Sequence, residues 1–153
     1  MRLDKLTTKF QEALADAQSL ALGHDHAYIQ PEHLLAAMLL QEDGPRSLLA
    51  RAGVNVAALA QAADAAVKRL PQVQGQEQVQ PSPDLMKLLQ ATEKEGIKRG
   101  DQFISSEMFL LALADAKGEA ARIAKEAGLA RKALEAAIDA VRGGQPMDSA
   151  EGE

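Results

Sequence analysis

All three histidines of this 153-residue chain lie in one short segment, HDHAYIQPEH, which covers residues 24–33. Imidazole groups bind zinc and transfer protons near neutral pH, and two carboxylates lie between these histidines. The spacing is weak evidence for a site, because His24 and His26 are two residues apart rather than four and His33 stands at a predicted helix start. Solvated loop histidines beside a capped helix are the favoured interpretation, with a metal site and an acid–base site as the alternatives.

The rest of the sequence contains no recognisable catalytic motif. It has no cysteine, so thiolate catalysis and disulfide bonds are excluded. It also has no glycine-rich phosphate loop, no GxSxG elbow and no HExxH motif. Carboxylate pairs such as Glu93 and Glu95 are typical of a solvated helix face. We therefore expect a chain without catalytic residues, bound metal or cofactor.

Composition favours an all-α protein. Apolar residues make up 46% of the chain but aromatic residues only 3%, so leucine, alanine, isoleucine and valine must fill the core, as in packed helices. The net charge is −5, and no run of lysine and arginine is available to neutralise phosphates, which argues against nucleic acid as a partner. Because the sequence has neither a signal-peptide h-region nor a run of about eighteen apolar residues, we expect no membrane contact and a cytoplasmic location.

The sequence repeats itself at an offset of 75 residues. Apolar, glycine and carboxylate positions keep register without a gap over about sixty residues, as a duplicated unit would. The matched positions include Tyr28 with Phe103, Ile29 with Ile104, Glu32 with Glu107 and Gly53 with Gly128. Two copies are too few for a solenoid, so the repeat predicts two similar halves, related by a pseudo-two-fold axis, that share one core.

Each half is predicted to contain four helices. Those of the first half cover about 4–22, 31–41, 45–52 and 55–69, and the second half repeats them 75 residues later, which gives eight helices. We assign residues 1–144 to one domain, with repeat 1 at about 1–70, an extended and exposed connector at 71–82 and repeat 2 at about 83–144. Residues 145–153 are rich in glycine and acidic residues and are expected to form a flexible tail.

Comparison of the two halves shows positions where one copy is polar and the other is apolar or differently charged. His24, His26 and His33 correspond to Arg99, Asp101 and Met108. The second copy therefore has no imidazole, and the histidines are interpreted as solvated. Because a polar twin argues against a core position, Met108 (twin of His33) and Met86 (twin of Gln11) are predicted to be partly exposed. Flexible methionine suits a surface that accepts varied apolar partners, and core packing is the alternative.

Four segments together resemble the double Clp N-terminal domain of ClpB-type AAA+ disaggregases. They are MRLDKLTTKFQEALADAQSLALGH at the start, YIQPEHLLAAML in repeat 1, KRLPQVQG at the connector and KRGDQFISSEMFLLAL in repeat 2. The resemblance extends from residue 1 to about residue 144. It implies an all-α Clp N-type domain, tethered to a hexameric AAA+ ring, that recognises unfolded or aggregated polypeptide and works with the DnaK chaperone system.

The same resemblance implies where substrate binds. It places substrate-handling polar groups at Thr7, Asp101 and Glu107 and an exposed apolar groove around Leu89 and Met108. With Met86, these residues form the predicted substrate-binding site of a monomeric domain. ATP and Mg²⁺ are expected only in AAA+ modules outside this chain. Weak polypeptide binding is the leading hypothesis; docking of a folded adaptor and metal binding by the histidines are the alternatives.

Overall fold

The described part of the chain contains eight α-helices. The structure is a computed structural model that describes residues 1–75 and 77–153; Gln76, inside the predicted connector, lies outside the described residues. The helices are α1 (Thr8–Gly23), α2 (Pro31–Leu40), α3 (Arg46–Arg51), α4 (Val56–Arg69), α5 (Pro83–Arg99), α6 (Ser106–Ala114), α7 (Glu119–Glu126) and α8 (Arg131–Arg142). Two short strands, β1 (Tyr28–Ile29) and β2 (Gln80–Pro81), pair in parallel. The all-α prediction with eight helices is confirmed, and none of the described helices combines the length and apolar character needed to cross a bilayer.

The first helix of each half begins at a capped position. The predicted start near residue 4 is too early, because Leu3–Lys5 form a separate 3-10 turn and α1 begins only at Thr8. The hydroxyl of Thr7 caps α1 by accepting a hydrogen bond from the backbone N–H three residues later, at 3.2 Å. Ser82 caps α5 in the same way, at 3.0 Å. Thr7 and Ser82 are 75 residues apart, so the repeat extends to the caps.

Two equivalent backbone pairings connect the halves. Ile29 in β1 pairs with Pro81 in β2, and Leu6 forms an isolated parallel bridge with Ile104. The 75-residue offset converts the first pair into the second, because Ile29 matches Ile104 and Leu6 matches Pro81. The segments that lead into α1 and α6 therefore lie side by side, as do those that lead into α5 and α2. We call these two places the α1–α6 crossing and the α5–α2 crossing.

Helices α2 and α6 form the centre of the core. Every residue from Glu32 to Leu39 and from Ser106 to Leu113 is buried, which fits the nearly continuous apolar sequences of these helices. Helices α1 and α4 pack on α2, while α5 and α8 pack on α6. Phe10 of α1 and Phe109 of α6 meet edge to face, with ring centroids 6.4 Å apart, and so join the two halves.

A glycine follows the third helix of each half, as predicted. Gly53 and Gly128 have φ values of 89° and 109°, in the left-handed region that glycine adopts without strain. The Asn55 N–H donates to the Ala127 carbonyl at 2.8 Å beside them. A Cβ added at Gly128 would lie 3.0 Å from the carbonyl oxygen of Gly53, whereas one added at Gly53 would have nothing within 4 Å. The halves therefore meet backbone to backbone at Gly128.

The connector is held against the loop before α2. Gln72 forms a β-bridge with His26, and the Val73 N–H donates to the Asp25 carbonyl at 2.7 Å. Val79 is buried and leads into β2. The prediction of an exposed connector is therefore wrong at Val79, because the strand pairing that follows it draws the chain onto the core.

Candidate functional site

His26 and His33 form a buried, hydrogen-bonded pair at the start of α2. His26 Nδ1 lies 2.8 Å from His33 Nε2, and both side chains are buried. The Gln30 N–H donates to His33 Nδ1 at 2.8 Å, so His33 carries its proton on Nε2 and donates it to His26. The interpretation as solvated histidines is wrong for both. His24 is half-buried and stacks on His26 with ring centroids 5.3 Å apart.

The pair favours neutral imidazoles. Burial, followed by the neighbouring His26, lowers the pKa of His33 to about 4, and burial together with His24 lowers the pKa of His26. An added proton on either ring places two N–H groups face to face. Among residues 1–75 and 77–153, no three His, Cys, Asp or Glu side chains are arranged to hold a metal ion. The pair fixes the start of α2, a structural role.

Thr7, Asp101 and Glu107 surround the α1–α6 crossing, and none of their side chains is open to solvent. Arg142 of α8 bridges the two carboxylates, with Nη1 2.8 Å from Asp101 Oδ1 and Nη2 2.6 Å from Glu107 Oε1. Burial opposes the charge of Arg142, but its hydrogen bond to Asp101 and the charge of Glu107 raise its pKa overall. Asp101 and Glu107 thus form a buried ion-pair cluster with Arg142, and Thr7 lies beside it as the cap of α1.

Arg142 is the member of this cluster that the sequence analysis did not single out. Its equivalent in the first half is Val67, a buried residue of α4. An apolar residue opposite a charged one is the same kind of mismatch that distinguished Met86. Applied to this pair, the comparison of the halves identifies Arg142 as a residue with a role specific to the second half.

Residues 147–153, which we call the tail segment, cover this cluster. Met147 is 6% exposed, and its N–H donates to Asp101 Oδ1 at 2.9 Å. Further along, the Ala150 carbonyl accepts from the Thr8 N–H at 2.8 Å. The sequence predicts a free tail because only one of these residues offers much apolar surface. The structure instead places the tail segment on the domain through backbone hydrogen bonds, which composition does not report.

Of the three apolar candidates, only Met86 is exposed. Its side chain is 44% exposed, which confirms that prediction. Leu89 is 8% exposed and Met108 is fully buried, so an exposed groove centred on these two residues is wrong. The inference for Met108 rested on its polar twin, and it fails because His33 is itself buried with both ring nitrogens hydrogen-bonded.

A groove of about 980 Å³ runs along α5 and reaches the starts of α2 and α7. Its apolar lining includes Leu88, Ala91 and Leu113, and lysines of α5 stand at its rim at positions 87, 94 and 98. Leu88 lines the groove and Leu89 does not, although both side chains are largely buried, at 7% and 8% exposed. The sequence therefore indicates the correct helix for an apolar groove but not the residues that line it.

Ion pairs hold Glu95 and Glu119, two of the acidic side chains of this groove. Arg131 holds Glu95 with two hydrogen bonds of 3.0 and 2.7 Å, and this contact lowers the pKa of Glu95. Hydrogen bonds from Arg122 and Arg69 lower the pKa of Glu119 to about 2. Burial, by contrast, raises the pKa of Glu32. The groove thus combines an apolar floor with a largely neutralised acidic rim and exposed lysines, which suits an extended peptide better than a small polar substrate.

Comparison with known proteins gives one family over nearly the whole chain. Residues 5–140 match the family described as the Clp repeat (R) N-terminal domain. The chain is 47% identical over 145 residues to the chaperone protein ClpB of Dichelobacter nodosus, which covers 94% of this chain and 17% of that protein. The chain thus spans less than a fifth of the length of this curated relative.

Solved structures share the fold. The Hsp104 N-terminal domain from Candida albicans has a TM-score of 0.83 at 22% identity, over 97% of this chain and 98% of that one. The ClpV N-domain in a complex with a VipB peptide has a TM-score of 0.72 at 26% identity, over 93% of this chain and 89% of that one. The eight helices, the internal repeat and the match over residues 5–140 agree: the chain belongs to the family of Clp repeat N-terminal domains.

Proposed function

We propose that this chain is the polypeptide-binding domain of a ClpB-type disaggregase, which binds unfolded or aggregated segments weakly and passes them to an AAA+ ring. The identity of 47% to a ClpB protein supports the ClpB type. The observation that carries the binding role is the groove along α5, because its volume of about 980 Å³ and its apolar floor suit a short stretch of polypeptide. Apolar contacts are non-directional, so such a floor accepts many sequences.

Binding in this groove is expected to be weak and reversible. Covering about 300 Å² of apolar surface gives roughly 7 kcal/mol before any costs. The loss of translational and rotational freedom removes about 4 kcal/mol or more of that. The remainder corresponds to a dissociation constant on the order of millimolar, which allows a chain to be passed on after capture.

No catalysis is assigned to this chain, and ATP and Mg²⁺ are expected to bind only in the AAA+ modules of a longer protein. The expected partners are unfolded or aggregated polypeptides, the rest of a hexameric ring and, functionally, the DnaK chaperone system. Neither nucleic acid nor membrane is among them. We expect a cytoplasmic protein whose isolated domain is a monomer. A metal role for the histidines is not proposed, because the facing ring nitrogens of His26 and His33 already bond each other.

An NMR titration with a reduced and alkylated, permanently unfolded protein tests the binding role. The amide signals of Leu88, Ala91 and Leu113 should shift as the groove fills. Ala91→Asp should weaken binding by about tenfold, since a charge must be desolvated against apolar contacts. Ala136→Asp, on the exposed face of α8, is the matched control. Silent groove signals at millimolar ligand, or equal losses in the two variants, would exclude the groove as the binding site.

Docking of a folded adaptor is the alternative for the same domain. The likeness to a ClpV N-domain solved with a VipB peptide favours it, because a defined peptide is a more specific partner than an unfolded chain. A stoichiometric partner that saturates the domain at micromolar concentration would support adaptor docking, provided that unfolded proteins neither bind nor compete with it.

A further inference from the structure

The tail segment, MDSAEGE, binds across the starts of α1 and α6. The Thr8 N–H donates to the Ala150 carbonyl at 2.8 Å, and the Ser106 N–H donates to Glu153 Oε2 at 3.1 Å. These two N–H groups belong to the first residues of their helices. The segment therefore lies on the α1–α6 crossing as a ligand that turns at Ser149–Gly152, with a carboxylate at the start of α6.

Met147 anchors the other end of the tail segment. Its side chain is buried, and its N–H donates to Asp101 Oδ1 at 2.9 Å. Its carbonyl accepts from the N–H groups of Gln102 and Phe103, at 2.8 and 3.1 Å. Backbone hydrogen bonds combined with a pocket for one side chain are a general way to hold a peptide. The bound segment thus consists of an apolar anchor followed by acidic residues.

The internal repeat explains why this crossing, and not its equivalent, holds a peptide. A helix leaves the N–H of its first residue without an internal partner, so Thr8 and Ser106 can donate to a ligand. At the 75-residue offset they correspond to Pro83 and Pro31, the first residues of α5 and α2. Proline has no N–H. Of the two crossings, only the α1–α6 crossing can therefore bind a carbonyl and a carboxylate this way; burial raises the pKa of the Glu153 carboxyl there, and the hydrogen bonds from Thr7 and Ser106 oppose this rise.

The bound segment leaves space and one polar atom unsatisfied. A cavity of about 430 Å³, lined in part by Glu107, Arg142 and Met147, lies at this face. Asp101 Oδ2 is buried and has no hydrogen-bond partner among the described residues. An unsatisfied buried oxygen costs free energy. The bound arrangement is therefore not fully optimised, which favours exchange with an open state.

We propose that the α1–α6 crossing is a receptor for a short acidic peptide with an apolar anchor, and that the tail segment occupies it within the same chain. Any polypeptide that reaches Thr7 and Asp101 must first displace Glu153 and Met147, because the Thr7 hydroxyl donates to the Glu153 carboxylate and the Met147 N–H donates to Asp101. This last step rests on the proposed function; the docking of the tail segment does not.

Hydrogen exchange on the whole chain tests the docking. Met147→Ser combined with Glu153→Gln removes the anchor and the bound carboxylate, and should speed amide exchange of Thr8 and Ser106 by about tenfold or more. Leu40→Ser combined with Glu42→Gln is the matched control, since it removes an exposed apolar side chain and an exposed charge outside the tail segment. Equal exchange in the two variants would overturn the docking.

A synthetic peptide tests the receptor. The amidated peptide QPMDSAEGE, added to the variant with Met147→Ser and Glu153→Gln, should shift the signals of Thr8 and Ser106 and saturate. Replacing its last glutamate by glutamine should weaken binding by about fivefold, because the charge-assisted hydrogen bonds are lost. A peptide that leaves these signals unchanged would overturn the receptor assignment, as would equal binding of the two peptides.

An unfolded protein tests the displacement. At the α1–α6 crossing, a reduced and alkylated protein should shift the signals of Thr8 and Ser106 at about tenfold lower concentration in the variant with Met147→Ser and Glu153→Gln than in the control variant, since the competing state is removed. Equal affinity would overturn the displacement and leave the proposed function standing. Binding to neither variant would overturn both, while the exchange and peptide experiments would still decide the docking.

Discussion

Lowering the pH from about 7 to about 4 should destabilise this domain through the buried pair of His26 and His33. In the folded chain His33 accepts from the Gln30 N–H and donates to His26, so neither ring can take a further proton without losing a hydrogen bond. The unfolded chain has no such restriction. Acid therefore favours the unfolded state at this position.

The magnitude follows from the pKa of His33. That pKa is about 4 in the folded chain, against 6.5 for an ordinary histidine. Between these values the unfolded chain binds more protons than the folded one, so the free energy of unfolding falls as the pH falls from about 6.5 to about 4. Each unit of difference in pKa is worth about 1.4 kcal/mol, so the free energy of unfolding falls by about 3 kcal/mol. This loss is complete below pH 4 and absent above pH 6.5. The lowered pKa of His26 acts in the same direction.

Urea unfolding at several pH values between about 7 and about 4 measures this effect, if the unchanged chain is compared with His33→Gln. The difference in unfolding free energy between the two chains isolates the effect of His33, because both chains have the same carboxylates. At pH 7 the variant should be the less stable chain, since glutamine cannot replace both hydrogen bonds of the ring. The gap should then shrink by about 3 kcal/mol by pH 4.

A gap that stays constant over this pH range would refute the reasoning. So would an NMR titration in which the ring of His33 takes up its proton near pH 6.5. His24→Gln is the control variant, because His24 stacks on His26 but lies outside the hydrogen-bonded pair. It should retain most of the acid dependence.

Two further substitutions have matched controls within the chain, and urea unfolding measures each. Gly128→Ala should cost about 2 kcal/mol or more, because the strain of a positive φ, about 1–2 kcal/mol, adds to a 3.0 Å contact with the Gly53 oxygen. Gly53→Ala should cost only the strain, and equal costs would contradict the close contact. Arg142→Gln should cost about 3–5 kcal/mol, because it leaves Asp101 and Glu107 buried without their cation. The exposed Arg122→Gln should cost much less, because solvent screens its ion pairs, and similar losses would contradict the importance of burial.

The sequence by itself determines the number of helices, most of their ends and the internal repeat. Apolar spacing, the glycines at 53 and 128 and the self-similarity at 75 residues each depend on near neighbours or on the chain compared with itself. The same comparison correctly predicts that Met86 is exposed. The comparison of the two halves also pairs Thr8 with Pro83. Because proline has no N–H, this difference decides which crossing can donate to a ligand.

Only the tertiary structure decides which polar groups are buried. His33 finds its partner 7 residues away, whereas Glu107 and Asp101 find Arg142 at 35 and 41 residues. A polar side chain can be buried wherever such a partner satisfies it, so polarity at one position does not mark the surface. The tail segment follows the same rule, because the N–H groups it binds come together only once the starts of α1 and α6 lie side by side.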